Sequence, residues 1–263
     1  MTNKILAVDG DIIAYRTAAV CETHFEGACD AIIDSTLRDI ATDTNIPNMR
    51  IYISDSTNFR YAIGKTKPYK GNRATMVRPQ FLDYCKEYLV KNYGGIIAIN
   101  HEADDAIASD MVQTGAIHCG IDKDMLQIAG KHYNYVKKEW TEVTPDDAIL
   151  TLYRQVLMGD ASDNVPGLPR IGEKKAADAI QDPETALDDA MAFYEQVCGE
   201  KMPNVNHLVY MSEQMSLIMM KTDMCIYEID FDKSFLIKQN TDGFEKQEGE
   251  VVDSQPVIRN LKL

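Results

Sequence analysis

The chain has 263 residues, 45% of them hydrophobic and 26% charged, and carries a net charge of −14. That length suffices for one large domain or a main domain with a small companion, and no stretch approaches the ~18–20 apolar residues of a membrane span. The cysteines at positions 21, 29, 85, 119, 198 and 225 include no Cys-x-x-Cys pair, and the apolar run Ile5–Val8 is too short for a signal peptide, which argues against a disulfide framework or a zinc site and for a reducing cytoplasm.

In chain order, Ile5–Val8 reads as a strand that Asp9 closes. Asp30–Thr42 carries Ile33, Leu37 and Ile40 at helical spacing. Arg50–Ser54 is a second strand, Pro79–Tyr93 a helix, Ile96–Ile99 a third strand, Asp104–Gln113 a helix and Ala116–Cys119 a fourth strand. Strand–helix alternation predicts an α/β fold with a mostly parallel sheet flanked by helices. In such sheets, sites gather beyond the C-terminal strand ends.

A second region opens at Thr144-Pro145-Asp146-Asp147, where cap, proline and first-turn acids announce a helix running to about Met158. The loop Gly159–Gly172 follows, then a helix over Glu173–Ile180, another from Asp182 to about Gly199, and the Met-rich Asn206–Thr222, whose methionines read as core. Gln239–Gln255 reads as polar loop, and Pro256–Leu263 as an apolar, basic segment able to dock on the body or a partner.

The acids fall where such a sheet would build a site. Asp9, Asp55, Glu102, Asp104, Asp105, Asp122 and Asp124 all follow the apolar runs, and Asp160 and Asp163 open the Gly159–Gly172 loop. Nine oxygen-donor side chains so placed predict a cage for Mg²⁺ or Mn²⁺, hard cations that take oxygen ligands. Between Ser56 and Leu82 there is no acid but six cations, Arg60, Lys65, Lys67, Lys70, Arg73 and Arg78, interleaved with aromatics. Alone this is an ordinary solvated loop; beside a metal cage it reads as a phosphate-gripping segment, despite the acidic total.

Several motif matches fail. Gly167–Glu173 lacks the Lys-Ser/Thr pair of a P-loop, His101–Asp105 lacks the second histidine of a zinc protease helix, and Asp160, Ser162 and Asn164 lack the glycine and terminal glutamate of a calcium loop. One rival holds longer. Asp9-Gly-Asp11 after a strand resembles the nucleophile motif of haloacid-dehalogenase-type phosphatases, with Asp9 attacking phosphorus and Asp11 as acid/base. It leaves the basic segment, the Glu102 cluster and the Gly167–Lys175 hairpin unexplained.

Six ordered motifs, spread over roughly residues 1–200, carry a second resemblance: Asp9; Ser54-Asp55 with Phe59-Arg60; Tyr69-Lys70-Gly-Asn-Arg73; Glu102-Ala-Asp-Asp105; Asp122-Lys-Asp124; and Gly159-Asp160-Ala-Ser-Asp163-Asn164 with Gly-Glu-Lys-Lys175 downstream. In these the chain resembles the 5′-nuclease superfamily (flap endonucleases and 5′–3′ exonucleases), in particular its compact bacteriophage members and the 5′-nuclease domain of bacterial DNA polymerase I. The resemblance implies a PIN-like catalytic domain over 1–143 with a basic arch near 60–93, a helix–three-turn–helix DNA-binding region over 144–200, and a C-terminal helix and tail over 201–263.

It also implies two-metal hydrolysis of DNA phosphodiesters at a 5′ end, flap or nick, RNA–DNA hybrids being a further substrate class, by a cytoplasmic monomer (host cytoplasm if viral). Asp55, Glu102, Asp104 and Asp105 then serve mainly one Mg²⁺ ion, Asp122, Asp124, Asp160 and Asp163 the other, and Asp9 lies between. Lys70 and Arg73 hold the scissile phosphate, Tyr69 stacks on a base, and Arg60, Gly167, Gly172, Lys174 and Lys175 contact DNA. Carbonyls of Val165 and Ile171 bind potassium. A non-catalytic DNA-binding relative would be expected to lose cage acids, and a PIN-type ribonuclease would lack the hairpin.

Overall fold

The structure, a computed structural model, describes residues 4–22, 26–224 and 235–236. Strand β1 (Leu6–Asp9) is buried throughout and lies mid-sheet. It pairs in parallel with β2 (Asn48–Ser54) and with β4 (Ile117–Cys119); β3 (Ile96–Ala98) extends the sheet beyond β2 and β5 (Gly130–Asn134) beyond β4, both in parallel. β6 (Glu139–Val143) is antiparallel to β5, and β7 (Phe235–Leu236) pairs antiparallel with the start of β2. The order β3-β2-β1-β4-β5-β6 reverses beside β1, which puts the end of that strand where open α/β sheets bind ligands.

Alternation along β1 divides the core. Leu6 and Val8 face helices α1 (Gly10–Cys21), α2 (Glu26–Thr44) and α4 (Leu82–Tyr93), packing with Ile13, Ile33, Leu37 and Leu89. Ala7 faces the other way, toward Ile107 and Met111 of α5 (Ala103–Thr114). A third cluster joins α6 (Pro145–Met158), α7 (Glu173–Ala179), α8 (Ala186–Lys201) and α9 (His207–Ile218) through Val156, Leu157, Ala190, Tyr194 and Leu217. Thr144 caps α6 by accepting from the Asp147 amide at 3.1 Å, as its sequence announces.

Four features depart from the sequence reading. Helix α1 follows β1 directly, where the residues show no clear helical periodicity. β5 and β6 form a hairpin in a stretch with no apolar run. The basic arch is narrower than residues 60–93, because Leu82, Cys85, Leu89 and Tyr93 of α4 belong to the sheet-face core. What remains is the short helix α3 (Arg60–Ile63), a 3₁₀ turn at Gly71–Arg73 and connecting chain. Finally, α9 packs with α6–α8 in one core. Cys225 and the readings of Gln239–Gln255 and Pro256–Leu263 lie outside the described residues.

Candidate active site

Beyond the C-terminal ends of β1, β2 and β4 opens a cavity of about 210 Å³ whose lining includes eight of the nine expected acids: Asp9, Glu102, Asp104, Asp105, Asp122, Asp124, Asp160 and Asp163. Each is delivered by a local feature. Asp9 ends β1 and caps α1, its Oδ1 accepting from the Ile12 amide at 3.1 Å. Glu102 occupies the cap position of α5, with Asp104 and Asp105 in the first turn. Asp122 caps a 3₁₀ turn by accepting from the Asp124 amide at 2.8 Å. Asp160 and Val165 exchange backbone hydrogen bonds, both 2.8 Å, which folds Ala161–Asn164 into a tight loop.

The carboxylates crowd one another. Burial, then the charges of Asp11 and Asp122, push the Asp9 carboxyl up to about 7. Burial, then Asp122 and a hydrogen bond with Asp160, push Asp124 up to about 8. Burial and the charges of Asp9, Asp122 and Glu102 hold Asp104 well above its ordinary value, and its Oδ1 is buried with no hydrogen-bond partner. Among the described residues no three acids already converge tightly enough to grip one ion. Glu102 and Asp163 turn oxygens toward the basic segment instead. An excess of buried oxygen donors, one of them orphaned, nevertheless fits a divalent hard cation and no softer one.

The basic segment docks on this rim. Lys70 has left-handed backbone, φ 52°; its amide donates to the Asp163 carbonyl at 2.8 Å, and its ammonium pairs with Glu102 and, at 3.7 Å, with Asp163. Arg73 pairs with Asp163 at 2.6 Å. Asn72 donates to the Ala161 carbonyl at 2.9 Å and Asn164 to the Pro68 carbonyl at 2.8 Å. The Tyr69-Lys70-x-x-Arg73 and Gly159–Asn164 motifs, separate in sequence, are one structural unit.

Several residues stand otherwise than the sequence suggests. Asp55 does not line the cavity; it accepts from the amide and hydroxyl of Thr57 at 2.6 and 2.8 Å, closing a turn. Asp105 is committed to Arg60, which donates to both its oxygens at 2.6 and 2.7 Å. Burial would raise Asp105, but Arg60's hydrogen bonds and charge outweigh it and hold the carboxyl below its ordinary value. Arg60 is therefore no surface cation for DNA. It is 2% exposed and also donates to the carbonyls of Leu217 and Met219 at 2.9 and 3.1 Å; truncating it would strand a buried carboxylate at a cost of about 3–5 kcal/mol. Tyr69 is 4% exposed, its ring in the α6–α9 core and its hydroxyl on Glu102 (2.9 Å) and Asp163 (2.6 Å), so it braces acids and does not stack on a base.

In the hairpin, Gly159 (φ 74°) and Gly167 (φ 57°) meet so closely that a Cβ on Gly159 would lie 2.4 Å from the Gly167 nitrogen. Tyr210 donates to the Gly167 carbonyl at 2.7 Å and Gln214 accepts from its amide at 3.0 Å, so α9 clamps the turn. Gly172, Lys174 and Lys175 are exposed at the start of α7. The Val165 carbonyl takes the Asp160 amide, leaving one lone pair for any cation, and Ile171 is half-buried. Lining residues with no place in the sequence reading of the cage include Asp11, read there only as a phosphatase acid, and Gln155, whose Oε1 is buried with no hydrogen-bond partner.

No family model matches the chain. It is 28% identical over 233 residues to DNA polymerase I of Bacillus caldotenax, a match covering 77% of this chain and 26% of the polymerase. It is 29% identical over 196 residues to a 5′–3′ exonuclease of Buchnera aphidicola, covering 65% of this chain and 68% of the exonuclease. The chain thus spans about a quarter of the polymerase and about two-thirds of the exonuclease. Its fold is similar to that of the bacteriophage T5 flap endonuclease solved with DNA and metal ions, with a TM-score of 0.59 at 16% identity over 82% of this chain and 86% of that one. These relatives and this fold support the resemblance to the 5′-nuclease superfamily that the six ordered motifs carry.

Proposed function

We propose that this chain is a structure-specific 5′-nuclease, a 5′–3′ exonuclease or flap endonuclease that hydrolyses DNA phosphodiesters with divalent metal ions. One observation carries the reading: acids from four separated segments, with Lys70 and Arg73 among them, line a single cavity at the sheet's C-terminal edge. Asp9, Glu102 and Asp104 on one side, and Asp122, Asp124, Asp160 and Asp163 on the other, would hold two Mg²⁺ ions, for which Mn²⁺ would substitute. Such ions supply an activated water and neutralise charge at the leaving oxygen. Lys70 and Arg73 bind the scissile phosphate and stabilise its growing charge. Tyr69 orients Glu102 and Asp163. Lys174 and Lys175, with the Gly172 backbone, hold duplex phosphates away from the cut, without reading bases. Potassium in the hairpin would use the Ile171 carbonyl and the free lone pair of Val165.

The phosphatase reading is disfavoured by Asp11. Its Oδ2 accepts from the Ser54 amide at 3.0 Å and its Oδ1 pairs with Lys86 at 2.6 Å, so it is not poised as an acid/base beside Asp9. A reducing cytoplasm would keep the thiols of Cys21, Cys29, Cys85, Cys119 and Cys198 free. The test is a set of 5′- and 3′-labelled flap, nicked duplex, hybrid and single-strand substrates, each with Mg²⁺, Mn²⁺ or EDTA. The reading expects metal-dependent products released from the 5′ side of flap or nicked DNA; cleavage unaffected by EDTA, or none on any substrate, overturns it.

A further inference from the structure

Asp11 and Lys86 meet at the cavity wall, and neither belongs to the metal-holding set above. Lys86 projects from α4 and pairs with Asp11, in the first turn of α1, at 2.6 Å. The same ammonium donates to the Ser54 carbonyl at 3.2 Å, while the other Asp11 oxygen accepts from the Ser54 amide at 3.0 Å. Both backbone groups of Ser54, the last residue of β2, are thus held by one ion pair. Ser54 passes the constraint on: its hydroxyl accepts from the Ala103 amide at 2.8 Å. Ala103 opens α5 between Glu102 and Asp104. The chain of contacts runs from α4 through α1 and β2 to the start of α5, and it passes through Asp11, two residues from Asp9.

We infer that Lys86 and Asp11 are positioning residues, which fix the first turn of α5, and with it Glu102 and Asp104, relative to Asp9. The inference rests on the nuclease reading for what that geometry serves. Its physical basis is that Glu102 sits on a loop-to-helix junction, whose side chain is only as well placed as the backbone beneath it, and that misplacing a charged ligand weakens the site it helps to form. The pair also makes a prediction whose sign is opposite to simple electrostatics. Lys86 is a cation beside an acidic cavity, so removing its charge alone would tighten binding of a divalent cation. If Lys86 acts by holding Ser54 and Asp11, removing it loosens the site and weakens binding.

The experiment uses the full chain with Lys86→Met, which keeps most of the side chain's length and bulk, and Lys86→Arg, which keeps the charge and a donor. Three quantities are read: Mn²⁺ binding by titration calorimetry, the Mg²⁺ concentration for half-maximal cleavage of a flap substrate, and the affinity for that DNA in Ca²⁺. The inference expects Lys86→Met to weaken Mn²⁺ binding and raise the Mg²⁺ requirement about five- to ten-fold, with DNA affinity within about two-fold of wild type, and expects Lys86→Arg to restore most of both. Tighter or unchanged Mn²⁺ binding in Lys86→Met overturns it, even if the variant melts at a lower temperature. A wild-type protein that cleaves no DNA, in which Lys86→Met still weakens Mn²⁺ binding, upholds the positioning role while removing the nuclease reading.

Discussion

The Tyr69 hydroxyl donates to the Asp163 carboxylate at 2.6 Å, across 94 positions of sequence. It donates at 2.9 Å to Glu102 as well, and so ties the basic segment to both halves of the acidic cavity. A buried phenol between two carboxylates stays protonated: burial and the charges of Glu102 and Asp163 push it far above its ordinary value. Tyr69→Phe removes the bridge and keeps the ring in its core. We expect a loss of about 1–3 kcal/mol in stability, read from urea unfolding at unchanged m-value. Cleavage should fall, but much less than in Lys70→Ala, because the phenyl ring still seats the segment.

Acidity should couple to stability in a direction that metal reverses. The Asp9 and Asp124 carboxyls are raised from an ordinary 3.8 to about 7 and about 8 in the folded chain. A carboxyl so raised binds its proton more tightly when folded, so its contribution is fully present below pH 3.8 and is lost as pH climbs through the folded values. In EDTA the melting temperature should therefore decline between about pH 4 and pH 8 from these two groups. Asp105 is shifted the other way, and its contribution disappears only as pH falls below its ordinary range. With Mg²⁺ the decline between pH 6 and 8 should flatten or invert, because ligands must shed protons to bind metal. Thermal unfolding across pH with and without Mg²⁺ checks both signs.

A paired assay separates nuclease from phosphatase. Asp11→Asn retains an oxygen for the Ser54 amide but loses the ion pair with Lys86, so flap cleavage should persist at saturating Mg²⁺ with a raised Mg²⁺ requirement, whereas Lys70→Ala removes a phosphate contact and should be severe at any Mg²⁺ concentration. Para-nitrophenyl phosphate should be a poor substrate for every variant. Robust monoester hydrolysis that vanishes with Asp11 would move the chemistry to the other family.

The hairpin lysines should act on binding alone. Lys174 and Lys175 are exposed in the first turn of α7 and do not line the acidic cavity. Replacing both with alanine should weaken duplex binding for any sequence and flatten the log–log salt dependence by about 0.9 per lost phosphate contact. Rates at saturating DNA should stay close to wild type. An unchanged slope with unchanged affinity would place the duplex elsewhere.

How much of this was legible beforehand varies with the kind of signal. Asp9, Glu102, Asp122 and Asp124 were legible because each follows a short apolar strand, and parallel sheets present such ends to one edge. Asp55 follows a strand too, but Thr57 two residues on offers it an amide and a hydroxyl, and this local satisfaction is invisible in a count of acids. Arg60 looked like its neighbours in a run of cations. Only the fold reveals that it is buried against Asp105, whose sequence partner is 45 positions away. Helix α1 was missed because Gly10–Cys21 carries Tyr15 and Val20 on its exposed side, so no polar stripe offsets the buried face at Ile13, Ala14, Thr17 and Ala18. β5 and β6 were missed because Lys131, His132, Asn134, Glu139 and Glu142 break any apolar run. Lys86 carries no sequence signal beyond its place on the polar side of α4, and only its contacts with Asp11 and Ser54 give it a role.

The central claim is that the acidic cavity cleaves DNA from a 5′ end with divalent metal. Single-turnover cleavage of a 5′-labelled flap, by wild type and Asp124→Asn over a Mg²⁺ series, tests it most directly. The account predicts short labelled products from wild type, none in EDTA, and suppressed cleavage by Asp124→Asn, with DNA affinity retained. Full activity of Asp124→Asn, or turnover by wild type in EDTA, would contradict it.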